Sequence, residues 1–167
     1  PDNKLSGAVF EIYFDADKNK EFSAEIDILI GEMTETELGV YRMDELRYAG
    51  YFLHEKVAPI GYVLDEGYYY FEIINDGEIV NVANNADENF LNQAIRGNIS
   101  ILKKDATSGE VLSGVEFGLF DTNGNEIVRG VTGDDGSLLF AGIRFGTYEL
   151  RELTAKTGYH KYDEIIV

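Results

Sequence analysis

Tyr51-Phe52-Leu53-His54-Glu55 returns 97 residues later as Tyr148-Glu149-Leu150-Arg151-Glu152, and a repeat of this kind sets the number of domains before any element is assigned. On a strand, residues two apart share a face. Tyr51, Leu53 and Glu55 therefore stand on one side, as do Tyr148, Leu150 and Glu152, so each copy puts a carboxylate on an apolar face. Working outward, Leu5-Ser6-Gly7-Ala8-Val9-Phe10 returns as Leu112-Ser113-Gly114-Val115-Glu116-Phe117, and Gly61-Tyr62 as Gly158-Tyr159. The first block is offset by 107 residues and the other two by 97, so the first copy carries ten extra residues between Phe10 and Tyr51. The stretch 15–37 is assigned as that insertion. A polar run at 84–89 leads toward the alternating strand Ile99, Ile101, Lys103, which puts a boundary near Arg96-Gly97 and gives domains 1–96 and 97–167. Each is about the size at which a domain first becomes independently stable.

The 167 residues are 44% hydrophobic and 13% aromatic, enough for packed cores and too apolar for a disordered chain. Those apolar residues are rich in Tyr, Phe, Ile and Val, and 18 Gly stand against two Pro, a balance suited to short strands joined by glycine turns. The fold class expected is all-β. Val115 to Phe120, then Asp121-Thr122-Asn123-Gly124-Asn125, then Glu126-Ile127-Val128 reads as strand, turn and strand. Only 34–46 leans toward helix, and Gly39 interrupts it, so it is read as a loop or a short helix. A net charge of −17 with no local basic cluster argues against nucleic acid and anionic membranes as partners. Cysteine is absent, so neither disulfides nor zinc–thiolate sites are available, and a secreted chain of this kind needs another crosslink. No leader, membrane-spanning run or sorting tail is read in the sequence.

Besides Glu55 and Glu152, two further polar residues fall on apolar faces. Ile99, Ile101 and Lys103 share one side, which carries an amine; Phe90 and Asn92 share another, which carries an amide. A buried, unpaired charge costs several kcal/mol or more, so each needs a partner or neutralisation. Burial pushes a lysine toward the neutral amine and a glutamate toward the neutral acid. Amine, carboxamide and protonated carboxyl are together what amide-bond formation requires. The plainer reading of the same residues is a solvated Glu just past the core and a Lys extending its amine to water.

The order Ile99-Ser100-Ile101-Leu102-Lys103-Lys104-Asp105, Ser108-Gly109, Leu112 to Phe117, Gly146-Thr147 with Tyr148 to Glu152, and Gly158-Tyr159 resembles the Cna protein B-type, or SpaA-like, domain of Gram-positive pilins and adhesins. The first copy resembles it too, with Tyr51 to Glu55 leading into Ala58-Pro59-Ile60-Gly61-Tyr62; the second has Lys156 where the proline stands. The resemblance implies tandem immunoglobulin-like, prealbumin-like β-sandwiches on a bacterial surface, anchored to the cell wall or built into a pilus. It also implies a spontaneous Lys–Asn isopeptide bond in each domain, promoted by a glutamic acid. Carried across by position, Lys103 is the donor of the second domain with Glu152 its acid, and Asn92 is the acceptor of the first with Glu55 its acid. Lys104 is the poorer donor, one residue off the apolar face. Neither domain then holds a full set: the first lacks its opening strand with the donor lysine, Lys4 coming too late, and the second lacks its last strand with the acceptor asparagine.

Two functional readings follow. In one the modules are force-bearing spacers of a stalk or pilus, whose partners are other domains of the same surface protein. In the other the 15–37 insertion binds a host protein or carbohydrate, which predicts an exposed apolar or aromatic patch there. An enzyme is not expected, since neither His54 nor His160 has a nucleophile motif beside it. No cofactor or metal is expected either. Asp15-Ala16-Asp17-Lys18-Asn19-Lys20-Glu21 has the odd-position oxygens of a calcium loop, but Lys20 holds the sixth place and Ile26 the twelfth, so it is read as a solvated acidic turn. Tyr68-Tyr69-Tyr70 is read as a strand covered on both faces rather than a stacking platform.

Overall fold

The computed structural model describes residues 4–86 and 89–167. Alternation of apolar and polar residues gives eleven strands among them, and the chain divides into two compact units, 1–94 and 95–167.

In the first unit, β1 (Val9–Phe14), β2 (Ile28–Glu32), β5 (Ala49–Val57) and β6 (Tyr68–Ile73) form an antiparallel sheet in the order β2-β1-β5-β6. Its inner face contributes Phe10, Ile12, Tyr51, Leu53 and Phe71, and Tyr41, Met43, Leu46, Val80, Val82 and Phe90 close over them from the other side. The stretch 34–46 is not helical. β3 (Thr34–Glu37) and β4 (Val40–Arg42) form a small hairpin there. Gly39 turns it at φ +65, and a Cβ at that position would come within 2.9 Å of the Lys4 side chain. The helical propensity of 34–46 yields because Tyr41 reaches the core and its hydroxyl accepts from the Ala8 backbone at 3.0 Å.

The second unit repeats the plan with β7 (Arg96–Leu102) on β10 (Ser137–Arg144), and β8 (Glu116–Asp121) between β9 (Glu126–Val131) and β11 (Tyr148–Thr154). Phe117 and Leu119 from β8, with Leu112, Val115 and Phe140, make the core, and Ile99 and Ile101 pack on it. The β8–β9 hairpin turns at 121–125, where the Asp121 carboxylate accepts from the Asn123 and Asn125 amides. Each unit also pins the start of its glutamate strand in the same way. The Tyr51 hydroxyl donates to the Arg47 carbonyl at 2.9 Å and the Tyr148 hydroxyl to the Arg144 carbonyl at 2.8 Å.

Candidate functional site

The two glutamates occupy equivalent places. Glu55 pairs with Phe10 across β5 and β1, and Glu152 pairs with Phe117 across β11 and β8. Immediately after each acid the ladder slips, leaving Lys56 and Leu153 as the extra residues. A bulge re-aims the neighbouring side chain. Both acids are buried, Glu55 at 0% exposure and Glu152 at 5%.

In the first unit the segment 91–94 lies antiparallel to 62–65, held by the Val63 amide donating to the Gln93 carbonyl at 2.8 Å and by a bridge between Tyr62 and Ala94. This register brings Asn92 to Glu55. Its Nδ2 donates to Oε2 at 2.7 Å and Oε1 at 2.9 Å, while the Asp65 backbone amide donates to Oε2 at 2.9 Å. Asn84 ties the surroundings together. Its Nδ2 donates to the Asp65 carboxylate and to the Leu91 carbonyl, both at 2.8 Å, and its Oδ1 accepts from the Leu91 amide. Burial pushes the Asp65 carboxyl upward, but donors from Asn84, Gly67 and Tyr69 outweigh it and hold the group below the usual carboxylate range. Burial and the same contact push the Tyr69 hydroxyl up to about 12.

In the second unit Lys103 follows β7 directly, its exposure alternating with that of Leu102 and Lys104 as the strand pattern requires. Its Nζ lies 2.7 Å from Glu152 Oε2, in a cleft of about 360 Å³ that Tyr162 also lines. The amine sits 5.8 Å from the centre of the Tyr162 ring. Glu152 Oε1 is buried without a hydrogen-bond partner. Lys104 is exposed, its backbone bridged to Val111.

The pairs joined from sequence position, Asn92 with Glu55 and Lys103 with Glu152, are therefore in contact. One unit offers amide and acid, the other amine and acid. Asp65, Asn84 and Tyr162 were not singled out in the sequence. Asp65-Glu66-Gly67 carries an ordinary turn signal, and Asn84 sits in a polar run that reads as a loop.

A family model described as the SpaA prealbumin-like fold domain matches residues 1–87 and 97–167. Among solved structures, the chain is similar to the TIE protein of Bacillus anthracis, at 28% identity and a TM-score of 0.77, covering 98% of this chain and 28% of that one. It also resembles the pilus adhesin SpaC from Lactobacillus rhamnosus GG, at 17% identity and a TM-score of 0.53, over 99% of this chain and 24% of that one; at that identity the likeness is one of fold. The chain thus spans roughly a quarter of the length of each. No curated protein matches it.

Proposed function

Because this chain belongs to the SpaA prealbumin-like fold domain family, a structural family, we propose that it forms two modules, 1–96 and 97–167, of an extracellular stalk or pilus in a Gram-positive surface protein. It bears load and does not turn over a substrate. Each module is closed by an isopeptide bond that takes the part disulfides play elsewhere, restricting the unfolded chain.

The observation that carries this reading is the contact of half-buried Lys103 with buried Glu152 and of half-buried Asn92 with buried Glu55, at 2.7 Å in both cases. Lys103 is the donor and Asn92 the acceptor, their counterparts coming from strands of a longer chain. In the reaction the neutral lysine amine attacks the asparagine Cγ, a C–N bond forms, the Cγ–Nδ2 bond breaks, and ammonia leaves. The glutamic acid protonates the amide oxygen, then carries the proton lost by the amine to the departing nitrogen. A protonated Glu55 requires the Asn92 amide to present its oxygen instead of Nδ2, a half-turn about one torsion. Peptide mapping of the full-length native protein tests the assignment: a branched peptide containing Lys103 and another containing Asn92 are expected, and linear peptides bearing both residues unmodified would overturn it.

A second reading, adhesion through 15–37, is supported by the exposed apolar residues Ile26, Ile28, Leu29 and Ile30 in that insertion. β2, which carries three of them, is an edge strand. Ile28→Lys with Ile30→Lys would weaken adhesion of the native protein to its surface on this reading, and unchanged adhesion would dismiss it.

A further inference from the structure

The insertion's own loop, 15–27, connects the outer ends of β1 and β2. Phe14 and Ile28 are the last paired residues, so Asp15 and Asp27 are the next position out on each strand. Both are buried, at 2% and 8% exposure. Asp17, exposed on the loop, completes a group in which one carboxylate oxygen from each residue lies within 4.8 Å of the others. Like charges facing each other across a strand pair repel, and two buried carboxylates need a cation or a full set of donors.

The donors do not complete the set. Asp27 is satisfied by the Ala16 amide at 3.0 Å and the Ser23 amide at 2.7 Å. Asp17 accepts from the Asn19 backbone and side chain. Asp15 Oδ2 accepts from the Lys20 amide at 3.2 Å, but Asp15 Oδ1 is buried with no hydrogen-bond partner. No ion pair reaches any of the three among the described residues. The lysine best placed by sequence, Lys20, instead holds Glu72 at 2.8 Å. The expectation of a solvated acidic turn therefore describes 17–21 and not the buried acids at the base of the loop.

We infer that Asp15, Asp17 and Asp27 bind a calcium ion. The donors are all hard carboxylate oxygens, which suit calcium or magnesium over softer metals. The three oxygens lie within 4.8 Å of one another, close enough for one calcium ion at about 2.3–2.6 Å from each to touch all three, and calcium's flexible shell suits a loop site better than the near-ideal octahedron magnesium demands. Water and loop carbonyls complete a calcium shell of six to eight oxygens without strict geometry. The ion would neutralise the facing acids and fix the loop next to the exposed apolar edge of β2.

The test is calorimetric titration of calcium chloride into the chelator-treated chain, with magnesium chloride as the comparison. One calcium per chain is expected, with a Kd no weaker than the ~10⁻⁴–10⁻³ M of extracellular calcium modules, together with a rise in Tm. Asp27→Asn should abolish binding. Asp17→Ala, at an exposed position that leaves the fold intact by circular dichroism, should weaken it at least tenfold. Absence of saturable binding up to about 10 mM, an order of magnitude above the weakest such modules, would overturn the site. So would affinity unchanged in Asp17→Ala, or an equal response to magnesium.

Discussion

Glu55 is an acid with no access to water, and its three contacts decide what its removal does. Glu55→Ala leaves the Asp65 amide without its acceptor and the Asn92 side-chain amide with only the Val63 carbonyl at 3.2 Å, and opens a void. Urea unfolding should show a loss of about 1–3 kcal/mol from the stranded donor alone. Glu55→Gln, which keeps an acceptor in place, should lose less. Lys103 and Glu152 behave differently because they form a charged pair, with side chains 25% and 1% exposed. Lys103→Met abandons a buried carboxylate and should cost toward the lower end of ~3–5 kcal/mol, while Lys103→Met with Glu152→Leu should recover most of it. A double variant no better than the single would mean that the pair is not the source of the loss. The faces of these residues were legible, since a period of two puts Tyr51, Leu53 and Glu55 on one side whatever the fold. Their partners were not, except through the family resemblance. Contact between Asn92 and Glu55 depends on a loop register that Asn84 and Asp65 set, and neither residue carries a pattern of its own.

Among the elements, the short strands and the 121–125 hairpin followed from alternation and turn residues, but three features did not. The 34–46 stretch folds as the β3–β4 hairpin because tertiary burial of Tyr41 outweighs local helical preference. The bulge after each glutamate leaves no mark, because one extra residue in a ladder is invisible without knowing the opposite strand. Asp27 drew no notice because a calcium motif is read by spacing, and the strand ends bring it to Asp15 from outside the motif. Gly136 shows how one turn governs a site at a distance. It has φ +72, its carbonyl accepts from the Lys103 amide at 2.9 Å, and a Cβ there would meet the Lys103 carbonyl at 2.8 Å. Gly136→Ala should therefore destabilise the second unit by at least ~1–3 kcal/mol and displace Lys103 from Glu152. Thermal unfolding measures the first, and slower crosslinking the second.

Taken whole, the molecule is two small sandwiches with a net charge of −17 and no cysteine, so any covalent lock within it is not a disulfide. Its stability should fall in acid. Burial raises the Glu11 carboxyl, but hydrogen bonds from Lys56 and Tyr13 more than offset this and leave it below its usual value, as Asp65 is below its own. Groups depressed on folding contribute stability that is complete only above their unfolded values, at about pH 5, and is lost as pH falls through their folded values. Urea midpoints of the first unit should therefore drop below that pH, and Glu11→Gln should flatten the dependence. The test that bears on the self-crosslinked stalk as a whole is the intact mass of the full-length native protein beside its Glu55→Ala and Glu152→Ala variants. The expected result is a deficit of one ammonia for each crosslinked domain, with one deficit restored in each variant. A wild-type mass equal to that of the uncrosslinked sequence would contradict it, leaving two sandwiches whose role must be sought in the 15–37 insertion.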